Sequence, residues 1–368
     1  MDIMINDLIF LILGLIVLTA GAEFLVRGGA RMAFLCGITP LAIGLTIVAY
    51  GTSAPELVVS INAALKNQAD ISLGNVIGSN VFNVLFILGA CAVIKPLIVH
   101  RNLVRIDVPV MILVSVLLYI LAVDGVISRF DGVIFCAGLV GYTWFTLHSS
   151  RGTTQGTDLS FLGDPDRYRS AEHRPKLIVI NLFWVVAGLV LLVLGSNLLV
   201  DSAVSVARRM GVSDLVIGLT LVAVGTSMPE VATSIVATIR NQRDIAIGNV
   251  VGSSIYNILA ILGISSLLPP EGIKVSAQII RLDLPVMIGV AIVCYPIFLT
   301  AYRVRRWEGA LLLGYYAAYT AYLVIINAYP HHASMFERIM HYVLPLSMVV
   351  LMVSFVHGVS VRTRKTRN

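Results

Sequence analysis

One long block of this chain is written twice. Residues 44–89 read GLTIVAYGTSAPELVVSINAALKNQADISLGNVIGSNVFNVLFILG, and residues 218–263 read GLTLVAVGTSMPEVATSIVATIRNQRDIAIGNVVGSSIYNILAILG. At a constant offset of 174, 27 of these 46 positions are identical. Each copy places one acid, Glu56 or Glu230, inside apolar sequence directly after a proline. A repeat of this length builds two similar structural units, and whatever the first acid does the second is placed to do as well.

The medium follows from composition. Hydrophobic residues make up 58% of the 368 and charged residues only 12%, against roughly 25% charged in a soluble domain. Stretches of about 18 or more nearly uncharged residues recur, each long enough to span a bilayer. Spans are expected at 8–26, 39–65, 71–94, 107–123, 131–148, 177–200, 213–239, 245–267, 283–302, 309–327 and 342–360. With the N-terminus outside, 19 Lys and Arg fall inside and 7 outside, which obeys the positive-inside rule. The net charge of +6 is therefore a matter of topology, not of nucleic-acid binding, and the basic tail is read as cytoplasmic. The leading residues carry Asp2 and Asp7 and no Lys or Arg, which is wrong for a signal peptide. Cys36, Cys91, Cys136 and Cys294 are scattered without a CxxC, so neither a disulfide framework nor a zinc site is expected.

Five spans per half mean that the second half enters the membrane from the opposite side. The expected fold is an all-α polytopic membrane protein of two inverted five-helix repeats, with an eleventh C-terminal helix; a surface-lying helix is the alternative for that last segment. The expected domains are a first repeat over 1–149, a cytoplasmic linker over 150–176, a second, inverted repeat over 177–328, and an extra helix with a basic cytoplasmic tail over 329–368. Duplicated, interrupted hydrophobic segments with an acid at the break are the pattern of transporters whose site lies between two repeats.

Pro55 and Pro229 cannot donate a backbone hydrogen bond, so a helix there loses its bonds to the carbonyls of Gly51 and Gly225. Such backbone is tolerated in a membrane only against protein or a wet cavity. A bound cation can satisfy it; a packed proline kink is the plain alternative. A charged Glu at mid-bilayer costs ~2.5–3.5 kcal/mol, so the two acids should face each other or a cation. Carboxylates ringed by hydroxyls, amides and carbonyls form an all-oxygen site, which suits Ca²⁺ better than Mg²⁺ or a transition metal. Gly74-Asn75, Gly78-Ser79-Asn80 and Asn83, mirrored by Gly248-Asn249, Gly252-Ser253-Ser254 and Asn257, add small and amide-bearing residues. Ser79 with Asn83, and Ser253 with Asn257, share helix faces. Asp107 and Asp283 precede Pro109 and Pro285 and are expected to cap helix starts. Glu23, Arg27, Asn197 and Asp201 are expected to anchor helix ends at the membrane interface.

GTSAPE with GNVIGSNVFN, and GTSMPE with GNVVGSSIYN, resemble the paired alpha repeats of the calcium/cation antiporter superfamily, most closely its prokaryotic sodium/calcium exchanger branch. The resemblance covers nearly the whole chain except the last span. It implies exchange of Ca²⁺ for Na⁺ by alternating access, with calcium export the expected direction, in a prokaryotic inner (plasma) membrane. The ions are transported substrates. No organic cofactor, no enzymatic activity, no nucleic acid and no obligatory protein partner are implied; the partners are calcium, sodium and the lipid bilayer. Carried over by motif position, Glu56 and Glu230 bind calcium and share the sodium sites. The carbonyls of Ala49 and Ala223, and the side chains of Thr52, Ser53, Thr226 and Ser227, complete the cage. Ser79 and Ser253 coordinate sodium, and Asn83 and Asn257 line the middle of the site. Some relatives, potassium-dependent members among them, carry Asp at one of these last positions, so Asn257 argues against potassium coupling. Ser254, standing where the first repeat has Asn80, breaks the symmetry. The competing readings are a proton-coupled calcium/cation antiporter of the same fold and, from another class, a channel or an intramembrane enzyme. For the last, Ser53 and Ser227 have no His or Lys nearby in the motif.

Overall fold

The computed structural model describes residues 2–150, 174–210, 223–299 and 302–328. The expected eleventh span at 342–360 and nearly all of the linker lie outside those residues. The chain is helical almost throughout. The first half runs α1 (Asp2–Cys36), α2 (Pro40–Ile43), α3 (Ala49–Thr52), α4 (Ala54–Leu65), α5 (Ala69–Phe82), α6 (Leu88–Ile94), α7 (Val108–Ala122) and α8 (Arg129–Ser149). The second runs α9 (Arg174–Arg209), α10 (Ala223–Gly225), α11 (Met228–Ile239), α12 (Arg243–Tyr256), α13 (Gly263–Leu267), α14 (Leu284–Leu299) and α15 (Arg306–Ala328). Wider π-helical turns at Gly44–Val48, Asn83–Ile87, Leu103–Asp107, Asn257–Leu262 and Ile279–Asp283 join several of these into continuous rods.

Seven described helices are long and apolar enough to cross a membrane, and the bent pair Pro40–Thr52 with Ala54–Leu65 can supply an eighth. The outer faces stay greasy: Phe130, Val140, Trp144 and Phe183 are exposed, as expected where lipid replaces water. The all-α polytopic expectation holds. Two boundaries move. The first helix is longer than the span over 8–26, and α9 already begins at Arg174, inside the expected linker.

The relative direction of the halves can be read from their contacts. α1 and α9 are equivalent at the repeat offset and pack closely through glycines. The backbone at Gly14 meets Leu199, at Gly21 Leu192, and at Gly28 Val185. One number rises as the other falls, so the two equivalent helices run antiparallel. A Cβ at Gly14 or Gly21 would lie within 3.1 Å of backbone across the interface; small residues let membrane helices approach this closely.

Two short antiparallel pairings, which the sequence did not announce, agree. β1 (Leu97–Ile98) pairs with β4 (Arg303–Val304), and β2 (Val126–Ile127) pairs with β3 (Ile273–Lys274). β1 and β2 lie at opposite ends of the rod that contains α7. Each therefore meets, at its own end, the loop that is not its equivalent in the other half. That is the arrangement of an inverted repeat. Side-chain contacts sort in the same way: Arg209 pairs with Asp7 at 3.0 Å, and Arg129 donates to the carbonyls of Leu268 and Pro269. At the opposite end Arg240 pairs with Glu23 at 2.8 Å, and Lys95 hydrogen-bonds Asn241.

The expected caps at Asp107 and Asp283 are not found. Each ends a π-helical turn inside a longer rod, over Leu103–Ala122 and Ile279–Leu299. Asp107 has helical backbone and makes no capping bond; its carboxylate accepts from Tyr142 Oη at 3.0 Å. The proline that follows takes φ ≈ −65° equally well inside a first α-turn that a π turn has already opened.

A broken-helix site shared by both halves

The break forms where the repeat predicts it. Between α3 and α4, Ser53 sits at φ −83°, ψ 12°, and the helix turns by 47°. Between α10 and α11, Ser227 sits at φ −88°, ψ 7°. Pro55 and Pro229 stand in the first turns of α4 and α11, where a missing N–H costs nothing. Glu56 and Glu230 lie in the same first turns, so each carboxylate meets the positive end of a helix dipole. Both glutamates are 1% exposed.

The two breaks are wired across the halves. Ser53 Oγ donates to Glu230 Oε1 at 2.7 Å, and Ser227 Oγ donates to Glu56 Oε1 at 2.8 Å. Ser227 Oγ also lies 3.1 Å from Ser79 Oγ. Thr52 donates to Asn249 Oδ1 at 3.1 Å, and Thr226 to Asn75 Oδ1 at 3.4 Å. Each of those asparagines then holds its own half together. Asn75 Nδ2 donates to Ser60 Oγ and to the Glu56 carbonyl, and Asn249 Nδ2 to Ser234 Oγ and the Glu230 carbonyl. Asn75 and Asn249, which the sequence offered as amides of the site, and Ser60 and Ser234, which it did not single out, thus belong to the frame of the site. Their identity at offset 174 was the available signal.

Several buried oxygens remain over. Oε2 of both glutamates, Oγ of Ser253, Oδ1 and Nδ2 of Asn83, and Oδ1 of Asn257 have no hydrogen-bond partner. A buried polar atom without a partner costs ~1–3 kcal/mol, and native structures keep few of them. These six belong to the two breaks and to the facing rods of α5 and α12, while others, such as Thr146 Oγ1 and Asn181 Oδ1, lie elsewhere. Asn83 and Asn257 each open a π-helical turn, a feature often found at functional sites.

The twelve residues picked from sequence are therefore placed as follows. Glu56, Ser227 and Ser79 form one hydrogen-bonded group, and Glu230 with Ser53 a second. Thr52 and Thr226 adjoin it but spend their protons on asparagines. Ser253, Asn83 and Asn257 lie buried on the rods of α5 and α12. Ala49 opens α3, and Ala223 opens α10. One expectation is corrected: the carbonyl freed at Gly225 accepts from Ser196 Oγ at 2.8 Å, so a side chain of α9 satisfies it and no cation is needed there. A cavity of about 980 Å³ opens at the end of the molecule that carries Asn241 and Tyr302. Leu45, Asp107, Arg243 and Asp244 line it, and none of the twelve does.

The model of the family described as "sodium/calcium exchanger protein" matches residues 7–148 and 180–325, one segment for each half. The chain belongs to that family. It is a membrane-spanning member of a family of ion-transporting antiporters. It is 36% identical over 285 residues to the inner membrane protein YrbG of Escherichia coli (strain K12), an alignment covering 77% of this chain and 86% of that one. It is 31% identical over 352 residues to the sodium/calcium exchanger MaX1 of Methanosarcina acetivorans, covering 88% and 100%. Among solved structures it is similar to the sodium-calcium exchanger NCX_Mj soaked with zero Na⁺ and Ca²⁺, with TM-score 0.74, 31% identity, and coverage of 88% of this chain and 100% of that one. The calcium/cation antiporter resemblance read from the two motifs is thereby established.

Proposed function

We propose that the chain exchanges Ca²⁺ for Na⁺ by alternating access, and that Glu56 and Glu230 bind the ion together. The observation that carries this reading is the crossed pair of serine–glutamate bonds, each leaving one carboxylate oxygen without a partner at the junction of the halves. Two carboxylates and several neutral oxygens make a hard, all-oxygen donor set, which suits Ca²⁺. The oxygens of Ser53, Ser227, Ser79, Ser253, Asn83 and Asn257 complete it, with Thr52, Thr226 and the carbonyls of Ala49 and Ala223 at its edge. Calcium and sodium then compete for the same atoms, so the protein reorients with one or the other. Relatives named as exchangers, and NCX_Mj structures soaked with Na⁺ and Ca²⁺, support the pairing of ions.

The remaining assignments follow the same reading. Residues 1–149 and 177–328 are the two transport repeats, joined by a cytoplasmic linker and followed by an extra helix. The Lys and Arg count sets the N-terminus outside and the C-terminus in the cytoplasm. The chain is a calcium exporter of a prokaryotic inner membrane that works without an organic cofactor and catalyses no covalent reaction.

The test is calcium flux in proteoliposomes under an imposed sodium gradient, a proton gradient, or neither. Flux that requires sodium is expected. Flux driven by protons alone would replace sodium by H⁺, and passive flux would make the protein a channel.

A further inference from the structure

One polar break in the repeat falls next to the site. Asn80 and Ser254 are equivalent positions, both buried. Asn80 Nδ2 lies 3.1 Å from the Ser254 carbonyl oxygen and 3.6 Å from Met287 Sδ. A carbonyl oxygen only accepts, so the Asn80 amide must turn its nitrogen toward α12. Its oxygen then faces Asn257, whose Nδ2 donates to it at 3.0 Å. This fixes the second amide in turn: Asn257 spends its nitrogen on Asn80 and keeps Oδ1 buried and free. Ser253, four residues earlier on the same helix face, also keeps a free oxygen.

The mirrored position does nothing of the kind. The Ser254 hydroxyl is short and donates back to Val250 O at 2.9 Å in its own helix. Asn83, the equivalent of Asn257, is left with both amide atoms unpartnered. One midpoint amide is locked with an acceptor presented; the other is free to present either atom.

We propose that Asn80 is a positioning residue which holds the Asn257 amide with its oxygen toward the transported cation, and so sets calcium affinity from one half only. The inference rests on the cation-binding reading of the site. Fixing a donor atom before the ion arrives removes the cost of ordering it on binding. Asn80 need not touch the ion; it acts through Asn257.

Asn80→Ser, which gives the first half the residue of the second, tests this in proteoliposomes. The Michaelis constant for calcium is expected to rise about tenfold, the size of one lost hydrogen-bond constraint, with kcat within twofold. Asn80→Ala, prepared in parallel in case the serine variant folds poorly, should do the same. Equilibrium calcium binding then closes a double-mutant cycle with Asn257→Ala. In that background Asn80→Ser should change affinity by less than twofold, because its only route to the ion is gone. An unchanged Michaelis constant, a loss confined to kcat, or an equal affinity loss in both backgrounds would overturn the role. If the unaltered protein shows no sodium-driven calcium exchange, the reading of the site fails instead, and the two failures are told apart in the same assay.

Discussion

The two halves handle the same broken helix differently. In the second half the carbonyl freed at Gly225 is taken by Ser196. In the first half Ala22 occupies the equivalent position and offers no hydroxyl. Gly248 and Gly252 of α12 are buried, and a Cβ at Gly252 would lie 2.7 Å from Leu45 Cα and O. The crossed serine–glutamate pairs keep the repeat, while the partner of the carbonyl beside the break does not.

Five substitutions break or sharpen that contrast. The largest effect belongs to the part the halves share. Glu56→Gln and Glu230→Gln should each lower sodium-driven calcium uptake by about 100-fold, since removing one member of a buried charged set costs ~3–5 kcal/mol. The two losses should match, and a variant that keeps half its activity would separate the halves at the site itself. The next effect belongs to the close contact of α12 with the π turn at Gly44–Val48. Gly252→Ala overpacks a backbone contact, at ~1–3 kcal/mol, so initial uptake rates should fall about tenfold. An unchanged rate would mean that this close approach is not needed for transport.

Smaller effects concern stability. Ser196→Ala leaves the Gly225 carbonyl without its partner and should cost ~1–2 kcal/mol in unfolding experiments in detergent. The loss should reside in the second half alone. Glu23→Gln removes the carboxylate that Arg27 and Arg240 share. Both arginine side chains are 51% exposed, so the change should cost less than about 1 kcal/mol and leave uptake unchanged.

Much of this was legible in the chain. The offset of 174 fixed the repeat, the prolines fixed the breaks, and the odd number of spans per half fixed the inversion that α1 and α9 display. The composition of the site was legible too, because a mid-membrane Glu beside Gly-Thr-Ser leaves few chemical options. What could not be read was which atom bonds to which. Sequence placed Ser53 beside Glu56, whereas its hydroxyl reaches Glu230, since the contact depends on how two antiparallel rods cross. Asn75 and Asn249 were legible as amides of the site, but not that each accepts from the other half's threonine and donates to the carbonyl of its own half's glutamate. The π turns were hidden because they follow from local rod geometry and not from a residue type, and they moved Asp107 from the expected cap into the interior of a rod. The short strands at Leu97 and Ile127 carry only two residues each, too few for an alternating pattern to show.

The central claim is that one ion is held by a carboxylate from each half. Equilibrium calcium titration of the purified protein in sodium-free buffer addresses it most directly. One bound calcium per chain is expected for the unaltered protein, with affinity reduced about 100-fold in both Glu56→Gln and Glu230→Gln. Full-affinity binding of one calcium in either single variant would mean that the two acids serve separate sites, and the account would be wrong.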